Sequence, residues 1–155
     1  MKMTADDWQK LRWFKADEKT AAGKPAFPAP LKMEMELLML LDEMRAVAGV
    51  PFIIHASYEL IGHAAESQHS DGAAIDGHFL AMGVIEQYLF AEQFNPPGLG
   101  FYPFWNRPGI HLDVRPLAPY KKAARWWRDQ QGKYQKITVA ALKKFIWKEG
   151  DLAGS

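Results

Sequence analysis

A chain of 155 residues accommodates one domain and no second full-sized core. Nineteen Lys and Arg against eighteen Asp and Glu leave a formal charge of +1, which excludes a broad basic field for gathering nucleic acid. Cysteine is absent, so disulfides, thiolate nucleophiles and thiolate metal sites are excluded, and any metal must be held by His, Asp or Glu.

In chain order, residues 1–30 read as a short helix around Trp8 followed by an irregular arm, because Gly23, Pro25, Pro28 and Pro30 interrupt any regular ladder. Leu37, Leu38, Leu40, Leu41, Met44 and Val47 recur at helical spacing and predict a helix over Leu31 to Val47, ended by Gly49-Val50-Pro51. Met33, Met35 and Met39 are expected to fill a helix interface. Phe52 to Ala56 and Ala73 to His78 read as short strands, and Phe79 to Phe94 as a helix with Leu80, Val84, Ile85, Tyr88 and Leu89 on its apolar stripe. Gly100 to Tyr102 and Gly109 to Arg115 predict an antiparallel hairpin. Two further strands around Trp126-Trp127 and Tyr134 flank the turn Asp129 to Gly132, and Thr138 is placed to cap a last helix through Trp147.

The expected architecture is therefore α+β, a single domain over 1–155 with a small, mainly antiparallel sheet packed against two main helices. The segment MKMTADDWQKLRWF lacks the apolar run of a signal peptide, and no later stretch is long and apolar enough to span a bilayer. The expectation is a monomeric protein made in the cytoplasm without a membrane span, reaching any target beyond it only on release.

Two stretches carry chemistry. In SQHSDGAAID, His69 and Asp76 flank Gly72, whose backbone freedom allows a turn bringing both side chains to one point. In GIHLDVR, alternation places His111, Asp113 and Arg115 on one strand face and Leu112 and Val114 on the other, a strand expected to be half buried and half polar. A catalytic zinc site takes three protein ligands and keeps one position open, and His111 is the natural third donor beside His69 and Asp76. The remaining histidines, His55, His63 and His78, read as structural or exposed, and Trp126 and Trp127 as core aromatics beside a solvated charge run.

The pattern S-x-H-x-x-G-x-A-x-D followed by a histidine strand resembles the zinc peptidases of the D-alanyl-D-alanine carboxypeptidase family, which includes phage endolysins and murein endopeptidases and shares its fold with the hedgehog signalling domain. The likeness runs from about Trp13 to Trp127 and is greatest to compact phage and prophage members. It implies a hedgehog-like DD-peptidase fold, zinc bound by His69, Asp76 and His111, and a peptidoglycan stem peptide or cross-link as substrate. Asp113 is the expected proton acceptor, or else the group that orients a ligand histidine and pairs with Arg115. Arg115 and Ser67 are expected on the substrate side, Ser67 also as a cap of the metal loop. The sequence departs from the family at two places. Glu59 stands where an arginine of S-G-Y-R-S is usual, and Pro108 where a carboxylate often precedes the last histidine. Glu66, Glu59 and Asp71 are the other carboxylates near enough in sequence to replace it.

Overall fold

The computed structural model describes residues 1–59, 67–117, 119 and 122–153, with backbone alone for 147–153. His63 and Glu66 lie outside the described residues. The helices are α1 (Ala5–Lys10), α2 (Met35–Ala48), α3 (Val84–Glu92) and α4 (Val139–Ala153), and the strands are β1 (Phe52–Ala56), β2 (Ala74–Phe79), β3 (Gly98–Tyr102), β4 (Gly109–Asp113), β5 (Ala124–Arg128) and β6 (Tyr134–Gln135). They form an α+β structure with one open six-stranded sheet in the order β1-β2-β4-β3-β5-β6, antiparallel except where β3 meets β5. No helix among the described residues is long and apolar enough to cross a membrane.

The register sorts the side chains into two faces. Residues opposite one another in an antiparallel pair point the same way, so the pairs Ile75↔Leu112, Leu99↔Leu112 and Phe101↔Ile110 make one apolar face. Helices α3 and α4 cover it: Tyr88 lies 5.4 Å and Phe145 5.8 Å from the Phe101 ring, and Trp127 lies 5.3 Å from Phe145. The pairs Asp76↔His111, Ala74↔Asp113, Gly98↔Asp113 and Gly100↔His111 make the other face, which carries the polar groups. All five residues of β4 are buried. The strand expected to be half buried and half polar is buried along its whole length, polar face included.

Several boundaries differ from the sequence expectation for identifiable reasons. Helix α2 starts at Met35, not Leu31, because a 3-10 turn occupies Pro30–Lys32, and it ends at Gly49 with φ 70°. Helix α3 starts at Val84, not Phe79: Phe79 still pairs with Phe52 at the end of β2, and its N–H donates to the Gln87 side chain at 2.9 Å. Leu80 thus precedes the helix, while Leu89, Val47 and Met39 face outward. Met33 and Met44 are buried as core fillers. Helix α4 runs past Trp147 to Ala153, and Thr138 Oγ1 accepts from the Ala141 N–H at 3.1 Å as its cap.

The N-terminal arm is tied down rather than loose. Thr4 and Asp7 form a capping box for α1, and Trp8 packs edge-on to Phe27 at 4.7 Å while donating to the Pro30 carbonyl. Buried Asp42 on α2 accepts from the backbone N–H groups of Arg12 and Trp13 at 3.1 and 2.9 Å and from Arg12 Nε at 3.1 Å. Arg45 lies 4.1 Å over the Trp13 ring. A backbone bond from Glu34 N–H to the Gly72 carbonyl, at 2.9 Å, then joins the start of α2 to the loop that carries His69.

Replacing Asp42 leaves two backbone donors and Arg12 Nε without their acceptor. Asp42→Ala is therefore expected to cost about 1.5–3 kcal/mol, read as a lower urea midpoint together with faster proteolysis within residues 11–28. An unchanged midpoint would mean that Asp42 does not anchor the arm.

Candidate metal centre

The loop 67–73 is built to present His69. Ser67 Oγ accepts from the His69 N–H at 3.2 Å, the Ser67 carbonyl accepts from Ser70, and the His69 carbonyl accepts from Gly72 N–H at 3.2 Å. Gly72 has φ +70°, and a Cβ there would fall 2.0 Å from the Lys32 carbonyl oxygen, so both the turn and the close approach require glycine. Ser67 thus caps the loop, one of the two roles expected for it.

Three side chains converge on the polar face of the sheet. His69 Nε2 lies 3.2 Å from Asp76 Oδ2, and His111 Nδ1 lies 2.9 Å from Asp76 Oδ1. One ligand atom from each falls within 4.8 Å of the others, and this is the group able to hold a metal among the described residues. Donors bound to one ion at about 2.0–2.1 Å in tetrahedral array stand about 3.3 Å apart, so the set fits an ion with small side-chain adjustments. Two imidazoles and a carboxylate suit zinc and neighbouring transition ions, with room in the coordination shell for a water.

Each histidine is held from behind. The Ser57 carbonyl, which can only accept, lies 2.6 Å from His69 Nδ1 and fixes the proton there, leaving Nε2 as the donor atom for a metal. Ser57 is itself tied to the arm, its Oγ donating to the Ala26 carbonyl at 2.6 Å. His111 Nε2 lies 2.7 Å from Asp113 Oδ2, leaving Nδ1 to face the centre. Asp113 has no exposed surface, and Arg115 grips it through Nε at 2.8 Å and Nη2 at 2.6 Å. Of the two roles expected for Asp113, this geometry matches the orienting one; Arg115 has both of those nitrogens engaged on Asp113.

Burial alone would push His111 down, but hydrogen bonds to Asp113 and Asp76 outweigh it and hold its pKa up at about 9 against an ordinary 6.5. Burial likewise favours neutral Asp76 and Asp113, yet the histidines and Arg115 hold both carboxyls well below the usual carboxylate range. Without metal, the centre is therefore an imidazolium between two carboxylates. A metal at Nδ1 takes the place of that proton.

Two glycines of β3 make the room. A Cβ on Gly98 would fall 2.2 Å from Asp113 Oδ1, and one on Gly100 would fall 2.5 Å from the Trp126 indole. Trp126 lies 5.1 Å from the His111 ring, is tied to the Tyr102 hydroxyl by its indole N–H at 2.8 Å, and lies beneath the Arg115 guanidinium at 5.3 Å. This corrects the expectation of two core tryptophans: Trp127 is packed against the apolar cluster, whereas Trp126 walls the metal centre. Histidines 55 and 78 are also close by, His55 Nε2 lying 2.7 Å from His78 Nδ1. Alternation on β2 was a usable signal for His78, two residues beyond Asp76. His55 had none, because it is the extra residue where the β1–β2 register shifts between Ile54 and Ala56.

Glu59 and Pro108 occupy different surroundings. Glu59 lines a cavity that includes Asp76, and its N–H donates to the His69 carbonyl at 3.4 Å. Pro108 offers only its carbonyl, which accepts from Gln87 Nε2 at 3.1 Å. No family model, curated protein or solved structure matches the chain.

Two outcomes follow from the held histidine. Asp113→Asn is expected to weaken zinc binding about 10–100-fold by calorimetry, against little change for the exposed Glu36→Gln. For chelated protein, the raised His111 pKa gives a contribution that is complete below about 6.5 and lost as pH climbs through about 9. Its melting temperature should fall over that window, while the stabilisation gained on adding zinc grows; a flat profile would contradict the charged arrangement.

Proposed function

We propose that the chain is a zinc-dependent peptidase that cleaves peptide bonds of bacterial peptidoglycan, in stem peptides or cross-links, as an endolysin-like endopeptidase or a D,D-carboxypeptidase. The observation that carries this reading is the convergence of His69 Nε2, Asp76 and His111 Nδ1, on the residues of the S-x-H-x-x-G-x-A-x-D and H-x-D pattern, with each imidazole fixed by a partner behind it. Zinc held there supplies a Lewis acid for the scissile carbonyl and lowers the pKa of a bound water to about 7.

The side chains divide the remaining work. Asp113 and Arg115 keep the His111 Nε2 proton away from the centre, and Ser57 does the same for His69 Nδ1. Asp113 is enclosed and doubly bound, so Glu59, which lines the cavity on the Asp76 side, is the carboxylate that takes the proton of the attacking water. In that role the residue replacing the family arginine contributes a base in place of a cation. A second reading, a zinc-binding protein of weak or no activity serving as a phage structural component, is favoured by Pro108, which supplies no proton acceptor before β4.

Zinc-loaded protein is expected to release new peptide fragments from purified Gram-negative peptidoglycan, detected by mass spectrometry, with release abolished by chelator and by His69→Ala. Glu59→Gln should lower the rate about 100-fold with zinc content unchanged. Absence of cleavage from several wall types by protein with zinc bound would favour the second reading.

A further inference from the structure

Strand β1 lies at the edge of the sheet, hydrogen-bonded to β2 on one side only. A groove of about 740 Å³ runs along β1, walled by the arm segment 20–28 and by His78, Leu80 and Arg107. The walls are mostly small or apolar, including Ala21, Ala22, Pro25 and Ile53, with Lys24 and Arg107 bringing positive charge and Glu59 a carboxylate. A smaller cavity lined by Asp76 shares the walls His55, Ala56, Glu59 and Arg107 with this groove, so the two adjoin at Arg107.

Arg107 is exposed, and among the described residues no carboxylate pairs with it. Glu59 and Asp76 line the same junction, Asp76 as one of the three residues of the metal centre. His55 Nε2 lies 2.7 Å from His78 Nδ1, so the pair adds hydrogen-bonding capacity at the same place. Trp105 packs edge-on against His55 at 5.2 Å and stacks on Tyr102 at 4.2 Å, giving this junction a rigid aromatic side. The register shift that places His55 in β1 is a device found where an edge strand meets a functional site.

An extended peptide with its backbone along the free edge of β1 would satisfy unpaired main-chain groups, as strand addition does elsewhere. We propose that the groove between the arm and β1 binds the substrate peptide in extended form, and that Arg107 clamps one of its carboxylates beside the metal centre. This rests on the peptidase reading for the word substrate, but the binding claim is separable from turnover. Arginine suits the role because its planar fork takes a carboxylate through two parallel bonds.

The test uses zinc-loaded full-length protein and an acetylated stem tripeptide with lysine in third place, prepared with both carboxylates free, with the C-terminal one amidated, and with the glutamyl α-carboxylate amidated. Binding is measured by calorimetry and hydrolysis by chromatography on the same samples. Amidation at one of the two positions should weaken binding about 10–100-fold, which identifies the carboxylate held. Arg107→Gln should bind all three peptides alike and weakly, Arg107→Lys should restore part of the preference, and Ala22→Trp, which fills the groove from the exposed arm, should weaken all three. Equal affinity of the wild type for the three peptides, or a preference that survives in Arg107→Gln, would overturn the proposal. Carboxylate preference without hydrolysis would uphold the groove and restrict the peptidase reading to the D-alanyl bonds that this tripeptide lacks; hydrolysis without preference would uphold the peptidase reading and overturn the clamp.

Discussion

The centre of this molecule is organised by a carboxylate that has no access to water. Asp113 sits on the middle of the sheet with no exposed surface, and an ionised carboxyl in that position is tolerable only if cations meet it with good geometry. Arg115 does so from two residues away, and His111 from two residues in the other direction. The sequence H-L-D-V-R is therefore one electrostatic unit on one strand face. It aims His111 Nδ1 at Asp76 on the neighbouring strand, and that choice determines where an ion can sit.

The second half of the centre depends on the arm rather than on the sheet. His69 is oriented by the Ser57 carbonyl, Ser57 by Ala26, and the loop itself by the bond from Glu34 to Gly72. Residues 1–34 thus fix a ligand far along the sequence, and 20–28 among them form one wall of the adjoining groove. Asp42 couples both functions to α2 through the backbone of Arg12 and Trp13.

Much of this was legible in the sequence. Glycine-flanked His69 and Asp76 and the alternation of His111 with Asp113 are local patterns, and local patterns survive into structure when the strand period of two is respected. The α+β class and the β3–β4 hairpin were legible for the same reason. What escaped were relations between strands: that Gly98 and Gly100 lie opposite Asp113 and His111, that Trp126 follows in a parallel neighbour, and that a register shift turns His55 towards His78. A single chain read in order carries no register, so Trp126 read as a core aromatic and His55 as a structural or exposed histidine. Leu31 and Phe79 were misplaced because the apolar period continues through a 3-10 turn and a strand end, where hydrogen bonding, not hydropathy, sets the helix start.

The two glycines of β3 give the strand an unusual character. Elsewhere a sheet writes its chemistry by choosing side chains; here Gly98 and Gly100 contribute by having none, leaving a hollow into which the neighbouring strands project Asp113 and Trp126. Such a position has a one-letter alphabet, since every other residue adds an atom where a functional group already stands. Genetic drift along β3 is consequently narrow at these two points, while Leu99 and Phe101 between and beyond them answer only to the packing of the opposite face. The walls of the groove can change their side chains long before the strand can change what it omits.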